Sequence, residues 1–345
     1  MINKAIIHQE TTIREALNLI NELSGKTLFI VDESNKAIGS VTDGDIRRGL
    51  LKGLSLESKI KDVMSLGFKF LTENDYSPKR IKELKAANIL FVPLLASDGT
   101  IKEILNLSSL KSMLPLEAII MAGGKGLRLA PLTDQTPKPL LKIGDKPIIE
   151  YNIDRLISFG IKKIYISVNY LKDQIMDYFG DGSQKGIVIE YIEESEITGT
   201  LGSATYVADF GTNDILVMNS DLLTNVDFED LYQTYMENEA EMVVASVPYE
   251  VTVPYGILET EQNNITSLQE KPTFLYYSNA GIYIINKQCI RDIPQREFYN
   301  ATDLIEKLIE ENRKVVNFPI VDYWLDIGKP KDFEKAQFDI KHLKL

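Results

Sequence analysis

From residue 117 onward, short apolar runs alternate with stretches of helical periodicity, and that alternation admits few architectures. Apolar runs fall at residues 118–121, 163–168, 188–192, 215–218, 242–247, 280–285 and 315–318, with helical patterns at 148–158 and 172–179. Strands separated by helices build an α/β sheet of mostly parallel strands with helices on its faces. Ligands on such sheets lie beyond the carboxyl ends of the strands. Residues that carry chemistry are therefore expected in the loops that follow the strands.

The first 115 residues follow a different pattern. Two copies of a β-α-β-β-α unit are expected, each with an amphipathic helix (residues 13–23 and 77–87) before an apolar strand (27–31 and 89–95). Thr12 and Ser77 are expected as helix caps, with Pro78 at a first helical position. Asp32-Glu33-Ser34-Asn35 and Ser97-Asp98-Gly99 read as turns between paired strands. Matching Ile101 to Ile38 puts Leu105 in the place of Thr42 and Ser108 in the place of Asp45. Pro115 interrupts the pattern, so the expected domains are 1–58, 59–115 and 116–345.

Composition narrows the chemistry. At 345 residues the length suggests about two domains. One cysteine, Cys289, excludes an intramolecular disulfide and a multi-cysteine zinc site. His8 and His342 are the only histidines, which disfavours Ser-His-Asp or Cys-His catalysis and a His-rich metal centre. A net charge of −12 disfavours nucleic acid as a partner. No signal peptide or membrane-length apolar run is evident, so no membrane partner and a cytoplasmic location are expected. Carboxylates, lysines, arginines and backbone amides remain, and these suit phosphoryl or nucleotidyl transfer, where positioning and charge neutralisation dominate.

The first apolar run of the α/β part ends in Ala122-Gly123-Gly124-Lys125-Gly126-Leu127-Arg128. Its glycines let backbone amides approach phosphates closely. Leu129 breaks the dinucleotide fingerprint, and no Gly-Lys-Ser/Thr makes a Walker A loop. Pro131-Leu132-Thr133 and Thr136-Pro137-Lys138-Pro139 follow. Further on stand Thr198-Gly199-Thr200-Leu201-Gly202, a buried strand ending in Asn219-Ser220-Asp221, Val253-Pro254-Tyr255-Gly256, Glu270-Lys271-Pro272, Asn279-Ala280-Gly281-Ile282-Tyr283 and Tyr323-Trp324-Leu325-Asp326-Ile327-Gly328. One by one these have plain readings: a tight turn, a helix-capping aspartate, a solvated Glu-Lys pair.

Together and in this order, they resemble the sugar-1-phosphate nucleotidyltransferases. The resemblance implies a Rossmann-like, GT-A-like domain. It implies that Ala122, Gly123, Gly124, Gly126, Arg128, Lys138, Gly199, Gly202 and Asp221 bind the nucleoside triphosphate. Tyr255, Gly256, Glu270, Lys271 and Asn279 would hold the sugar-1-phosphate. Arg128, Lys138, Asp221 and Asp326 would be catalytic, with Asp221 and Asp326 the ligands of Mg²⁺ (or Mn²⁺). The closest pattern is that of mannose-1-phosphate guanylyltransferases, which implies GTP. The alternatives are a thymidylyl- or uridylyltransferase acting on glucose-1-phosphate and an inactive nucleotide-sugar-binding subunit.

Gly39-Ser40-Val41-Thr42-Asp43-Gly44-Asp45-Ile46 resembles the CBS domain, making the N-terminal part an α+β tandem CBS module. That resemblance implies assembly into a homodimer or larger homo-oligomer, and either an adenine nucleotide held by Thr42 and Asp45 or a module that only dimerises. The second copy is expected to lack the site. The combination resembles the glucosamine-1-phosphate guanylyltransferases that feed legionaminic acid synthesis, which orders the expected sugars as glucosamine and then mannose.

Overall fold

The computed structural model describes residues 2–23, 27–72 and 78–343. The chain divides into two compact units, Met1–Leu114 and Pro115–Leu345.

The first unit is built from β1 (Ile6–His8), α1 (Ile13–Glu22), β2 (Thr27–Val31), β3 (Ala37–Thr42) and α2 (Asp43–Leu51), then β4 (Leu71–Thr72), α3 (Pro78–Ala86), β5 (Phe91–Leu95) and β6 (Ile101–Asn106). Each repeat has a three-stranded sheet in chain order, its first pair parallel and its second antiparallel. Thr12 caps α1 through a reciprocal bond with Glu15, and Ile13, Ala16 and Ile20 turn one stripe of that helix into the core. Ser77 lies outside the described residues.

Three expectations for this unit are corrected. Leu28 pairs with Val41 in the first repeat and Val92 with Leu105 in the second. Leu105 therefore corresponds to Val41, Asn106 to Thr42 and Ser109 to Asp45. Val41 and Leu105 are both buried, and burial fixes register because a one-residue slip turns every side chain to the other face. Ile38 and Ile101, matched by type, are both only half-buried. Second, no helix follows β6. Thr42 and Asp45 close a capping box that starts α2. After β6, the Asn106 side chain instead accepts bonds from Ser108 N and Oγ, at 3.0 and 2.6 Å, and holds a turn. Third, the first repeat does not end at residue 58. Ile60 is fully buried among Ile7, Ile13 and Leu28, with Val63 and Met64 packed against the same cluster.

The second unit contains β7 (Leu116–Met121), β8 (Lys142–Ile143), β9 (Lys146–Pro147), α4 (Ile148–Ser158), β10 (Lys163–Val168), α5 (Lys172–Phe179), β11 (Val188–Glu193), α6 (Gly199–Gly202), β12 (Asp214–Asn219), β13 (Leu222–Thr224) and α7 (Phe228–Glu237). It continues through β14 (Met242–Thr252), β15 (Ile257–Glu261), β16 (Asn264–Gln269), β17 (Thr273–Asn286), α8 (Lys287–Arg291), α9 (Ala301–Glu310), β18 (Val315–Pro319), β19 (Trp324–Asp326) and α10 (Pro330–Asp339). A seven-stranded sheet runs β11-β10-β7-β12-β17-β14-β18, and only β17 is antiparallel to its neighbours. The apolar alternation is thus realised as a mostly parallel, Rossmann-like sheet. Its middle strands are buried on both faces: Ala118, Ile119 and Ile120 of β7, and Ile215, Leu216 and Val217 of β12.

The parallel strands β7, β10, β11 and β12 end along one edge, where the glycine loop, Asn169, Glu194 and Asp221 gather. Beyond that edge, β13 pairs antiparallel with β19 and sets Leu222 opposite Asp326. This short pairing brings Asp221 and Asp326 together from opposite ends of the unit. On the other side, β14 and β17 pair on to Thr252 and Thr273, and the β15–β16 hairpin forms a separate two-stranded sheet.

Candidate active site

A cavity of about 660 Å³ opens at the carboxyl edge of the sheet. The glycine loop forms one wall. Gly126 has φ of +64°, and a Cβ there would stand 3.0 Å from both Thr133 Cγ2 and Lys138 Cβ, so no other residue fits without displacement. Nothing lies within 4 Å of the Cβ position of Gly124. Ala122, Gly123, Lys125, Arg128 and Lys138 line the same wall.

Arg128, Lys138 and Asp221 line the cavity together, and Asp326 lies next to them but outside the lining. The Lys138 ammonium donates to Asp221 Oδ2. Gly328 packs beneath the Arg128 guanidinium and lies beside Asp326 Oδ1, with 3.2 and 3.4 Å from its Cβ position. Asp221 Oδ1 and Asp326 Oδ1 are both buried without a hydrogen-bond partner. Burial, and after it the neighbouring Asp221, raises Asp326 above the ordinary carboxylate range, with Lys138 and Arg128 opposing the shift. A buried carboxylate oxygen with no donor is costly, and a cation relieves that cost. The described residues contain no group of three or more His, Cys, Asp or Glu able to hold a metal alone. Two carboxylates completed by phosphate oxygens and water are what Mg²⁺ accepts, so this pair fits a divalent cation.

The remaining expected residues divide. Gly199, with φ of +78°, lines the cavity. Gly202 does not: it packs against the backbone of Glu297, where a Cβ would collide, so its glycine serves the closeness of that contact. Tyr255, Gly256, Glu270, Lys271 and Asn279 also lie outside the lining. Tyr255 is 74% exposed beside the β15–β16 hairpin. Glu270 Oε2 lies 3.0 Å from the Cβ position of Gly256. Asn279 Oδ1 accepts from Gly281 N and from the Tyr283 hydroxyl, both at 2.9 Å. Gly281 leaves room for the Asn219 side chain, a cavity residue, and the Trp324 indole donates to Ala280 O at 3.0 Å. These contacts link the Asn279–Tyr283 segment to β12 and to the Asp326 strand.

The cavity also contains residues that the motifs do not single out. Glu194 is the clearest. Its carboxylate is buried, accepts from the Ser167 hydroxyl on Oε1, and takes Thr198 N and Oγ1 on Oε2 at 2.9 and 2.6 Å. Oε1 lies 3.1 Å from the Cβ position of Gly123. In the sequence Glu194 sits in Glu193-Glu194-Ser195-Glu196, which reads as a solvated acidic run; only the parallel neighbour β10 turns it inward.

In the first unit, Thr42 and Asp45 line a separate cavity of about 500 Å³ with Phe29, Lys69 and Asn88. Both side chains are already engaged. Asp45 Oδ2 accepts from Thr42 N and Oγ1 at 2.9 and 2.7 Å, and Oδ1 accepts from Arg48 at 2.5 Å.

The fold and the larger cavity define an α/β domain with a glycine-rich loop after its first strand and two neighbouring carboxylates that each leave one buried oxygen unpaired. The nucleotidyl transferase family matches residues 117–342, and the chain belongs to that family. The CBS domain family matches residues 1–52, within the first repeat. Among relatives, the bifunctional protein GlmU of Methanocaldococcus jannaschii is 34% identical over 64% of this chain and 53% of its own length. A mannose-1-phosphate guanylyltransferase of Mycobacterium tuberculosis is 31% identical over 65% of this chain and 64% of its own. A UTP–glucose-1-phosphate uridylyltransferase of Synechocystis is 30% identical over 64% and 62%. The chain thus spans between half and two-thirds of these relatives. The crystal structure of HddC from Yersinia pseudotuberculosis matches with a TM-score of 0.50 and 26% identity, over 65% of this chain and 99% of that one. No helix among the described residues is long and apolar enough to cross a membrane.

Proposed function

We propose that this chain transfers a nucleoside monophosphate from a nucleoside triphosphate, GTP by preference, to a hexose-1-phosphate, releasing pyrophosphate. The observation that carries this reading is the meeting of Arg128, Lys138 and Asp221 on the lining of a cavity that Glu194 also lines, with Asp326 buried beside them. The two cations can offset charge that builds on the α-phosphorus as the sugar-phosphate oxygen attacks. That oxygen is ionised at neutral pH, so the reaction needs no general base, and no histidine lines the cavity. Asp221 and Asp326 would hold Mg²⁺ or Mn²⁺, whose positive charge would reduce the repulsion between two anionic substrates.

Glu194 supports guanine. A carboxylate only accepts hydrogen bonds. Oε2 is filled by Thr198 N and Oγ1, so Oε1, which accepts only from Ser167, is the oxygen left to take a guanine donor, N1–H or the 2-amino group. Uracil and thymine flank their single N–H with two carbonyl oxygens, which a carboxylate repels. The relatives named as guanylyltransferases agree with this choice, whereas the uridylyltransferase relative keeps the pyrimidine alternative in the test. The sugar order, glucosamine-1-phosphate and then mannose-1-phosphate, rests on the motif resemblance, as does a homodimer or larger assembly through the N-terminal module. Lys271 would hold the sugar phosphate and Glu270 the hydroxyls.

The test pairs GTP, UTP, dTTP, CTP and ATP with a panel of sugar-1-phosphates and detects pyrophosphate. GTP is expected to turn over fastest. Faster UTP or dTTP turnover makes the chain a uridylyl- or thymidylyltransferase, and no pyrophosphate from any pair leaves a binding subunit. Glu194→Gln supplies a donor beside an acceptor, the complement of uracil, and is expected to erase the guanine preference.

A further inference from the structure

We propose that Tyr170 is a positioning residue for the triphosphate-binding loop, acting through its phenol hydroxyl. The inference rests on the nucleotidyl-transfer reading above. Residues 130–137 join the glycine loop to Lys138, and they form neither helix nor strand. Inside it Asp134 N donates to Pro131 O, and carbonyls without such a bond take partners outside the segment. The Tyr170 hydroxyl donates to Thr133 O and Asp134 O, at 3.2 and 3.1 Å, and Gln174 Nε2 donates to Gln135 O at 2.9 Å. Tyr170 stands two residues before α5 and Gln174 in its first turn.

From Thr133 the restraint passes directly to the phosphate site. Thr133 is buried, and its hydroxyl donates to Gly126 O at 3.0 Å. The Thr133 methyl and Lys138 Cβ both press on Gly126, the residue whose left-handed backbone shapes the loop. Lys138 then reaches Asp221. Tyr170 is in turn fixed by its place. It follows β10, a strand paired on both sides, and its neighbour Asn169 donates to Glu194 O at 2.7 Å. The β10–α5 turn therefore grips the base side of the cavity with Asn169 and the phosphate side with Tyr170. Loosening the second grip lets Gly126 and Lys138 drift, and small misplacement of such groups weakens catalysis strongly.

Tyr170→Phe removes the hydroxyl and keeps the ring. The expected result is about a tenfold rise in the KM for GTP and an equal loss of affinity for a non-hydrolysable GTP analogue in calorimetry. The KM for the sugar-1-phosphate is expected to stay within about twofold. Gln174→Ala should act in the same direction and less. Tyr178→Phe is the control: that hydroxyl donates to Glu150, away from the cavity, on the same helix. Unchanged analogue affinity in Tyr170→Phe, or an equal loss in Tyr178→Phe, overturns the proposal. A wild-type protein that binds no nucleoside triphosphate overturns the nucleotidyl-transfer reading together with it. An active wild type with an unaffected Tyr170→Phe overturns the positioning role alone.

Discussion

Asp45 and Asp221 both follow the end of a strand, yet their surroundings differ. Asp45 has every near donor it needs: Thr42 on one oxygen and Arg48 on the other. Asp221 shares Lys138 through one oxygen and leaves the other buried and unpaired, as does Asp326 beside it. A closed carboxylate holds a helix start and requires no ligand. An open pair, cornered by burial, is what the proposed cation would relieve. A strand-end aspartate thus says little until its hydrogen bonds are counted.

The sharpest way to break this contrast is to neutralise the open pair. Asp221→Asn and Asp326→Asn are each expected to lower kcat by about 100-fold or more. The thermal midpoint of Asp326→Asn is expected to equal or exceed that of the wild type, because an amide of the same size removes a buried charge repelled by Asp221. Near-normal turnover of either variant at saturating Mg²⁺ would remove that residue from the metal site. Next in size, Arg128→Ala is expected to raise the KM for the nucleotide about tenfold, and Lys271→Ala that for the sugar phosphate, the scale of one lost charge-assisted bond. Steady-state kinetics with each substrate varied separates the two.

On the closed side, Thr42→Ala is expected to cost about 1 kcal/mol of stability in the N-terminal unit, the usual loss of a cap, with turnover unchanged. Denaturant titration measures it. Calorimetry of the full chain with AMP then asks whether the same side chains also hold a ribose. Binding that Asp45→Asn abolishes would show a cap doubling as a ligand site, and no heat would leave capping as its role. The smallest effect is expected from Asn106→Ala. Asn106 occupies the place of Thr42 in the second repeat but holds only a turn, so its loss should cost less than that of Thr42. An equal cost would mean that the two repeats end more alike than the missing helix suggests.

Much of the fold is legible in residue order. The apolar runs mark β7, β10, β11 and β12, and Gly126, Lys138, Asp221 and Asp326 are visible as motif positions. The second repeat is less legible. Its strands are short and its pattern has period two, so matching isoleucines by type slips the register by one residue. Glu194 and Tyr170 are not legible at all, since each belongs to an ordinary local pattern, an acidic run and a strand-to-helix turn.

The sequence by itself determined the periodicities, the glycines that a left-handed backbone requires, and which charges exist to meet phosphates. Those are local properties, set by each residue and its near neighbours. Only the tertiary structure decided which carboxylates stay open. Asp221 and Asp326 meet because β13 pairs with β19, which sets Leu222 against Asp326. Glu194 faces the cavity because β11 lies alongside β10. Strand pairing between distant segments depends on burial across the whole sheet, and no local window of residues contains that information.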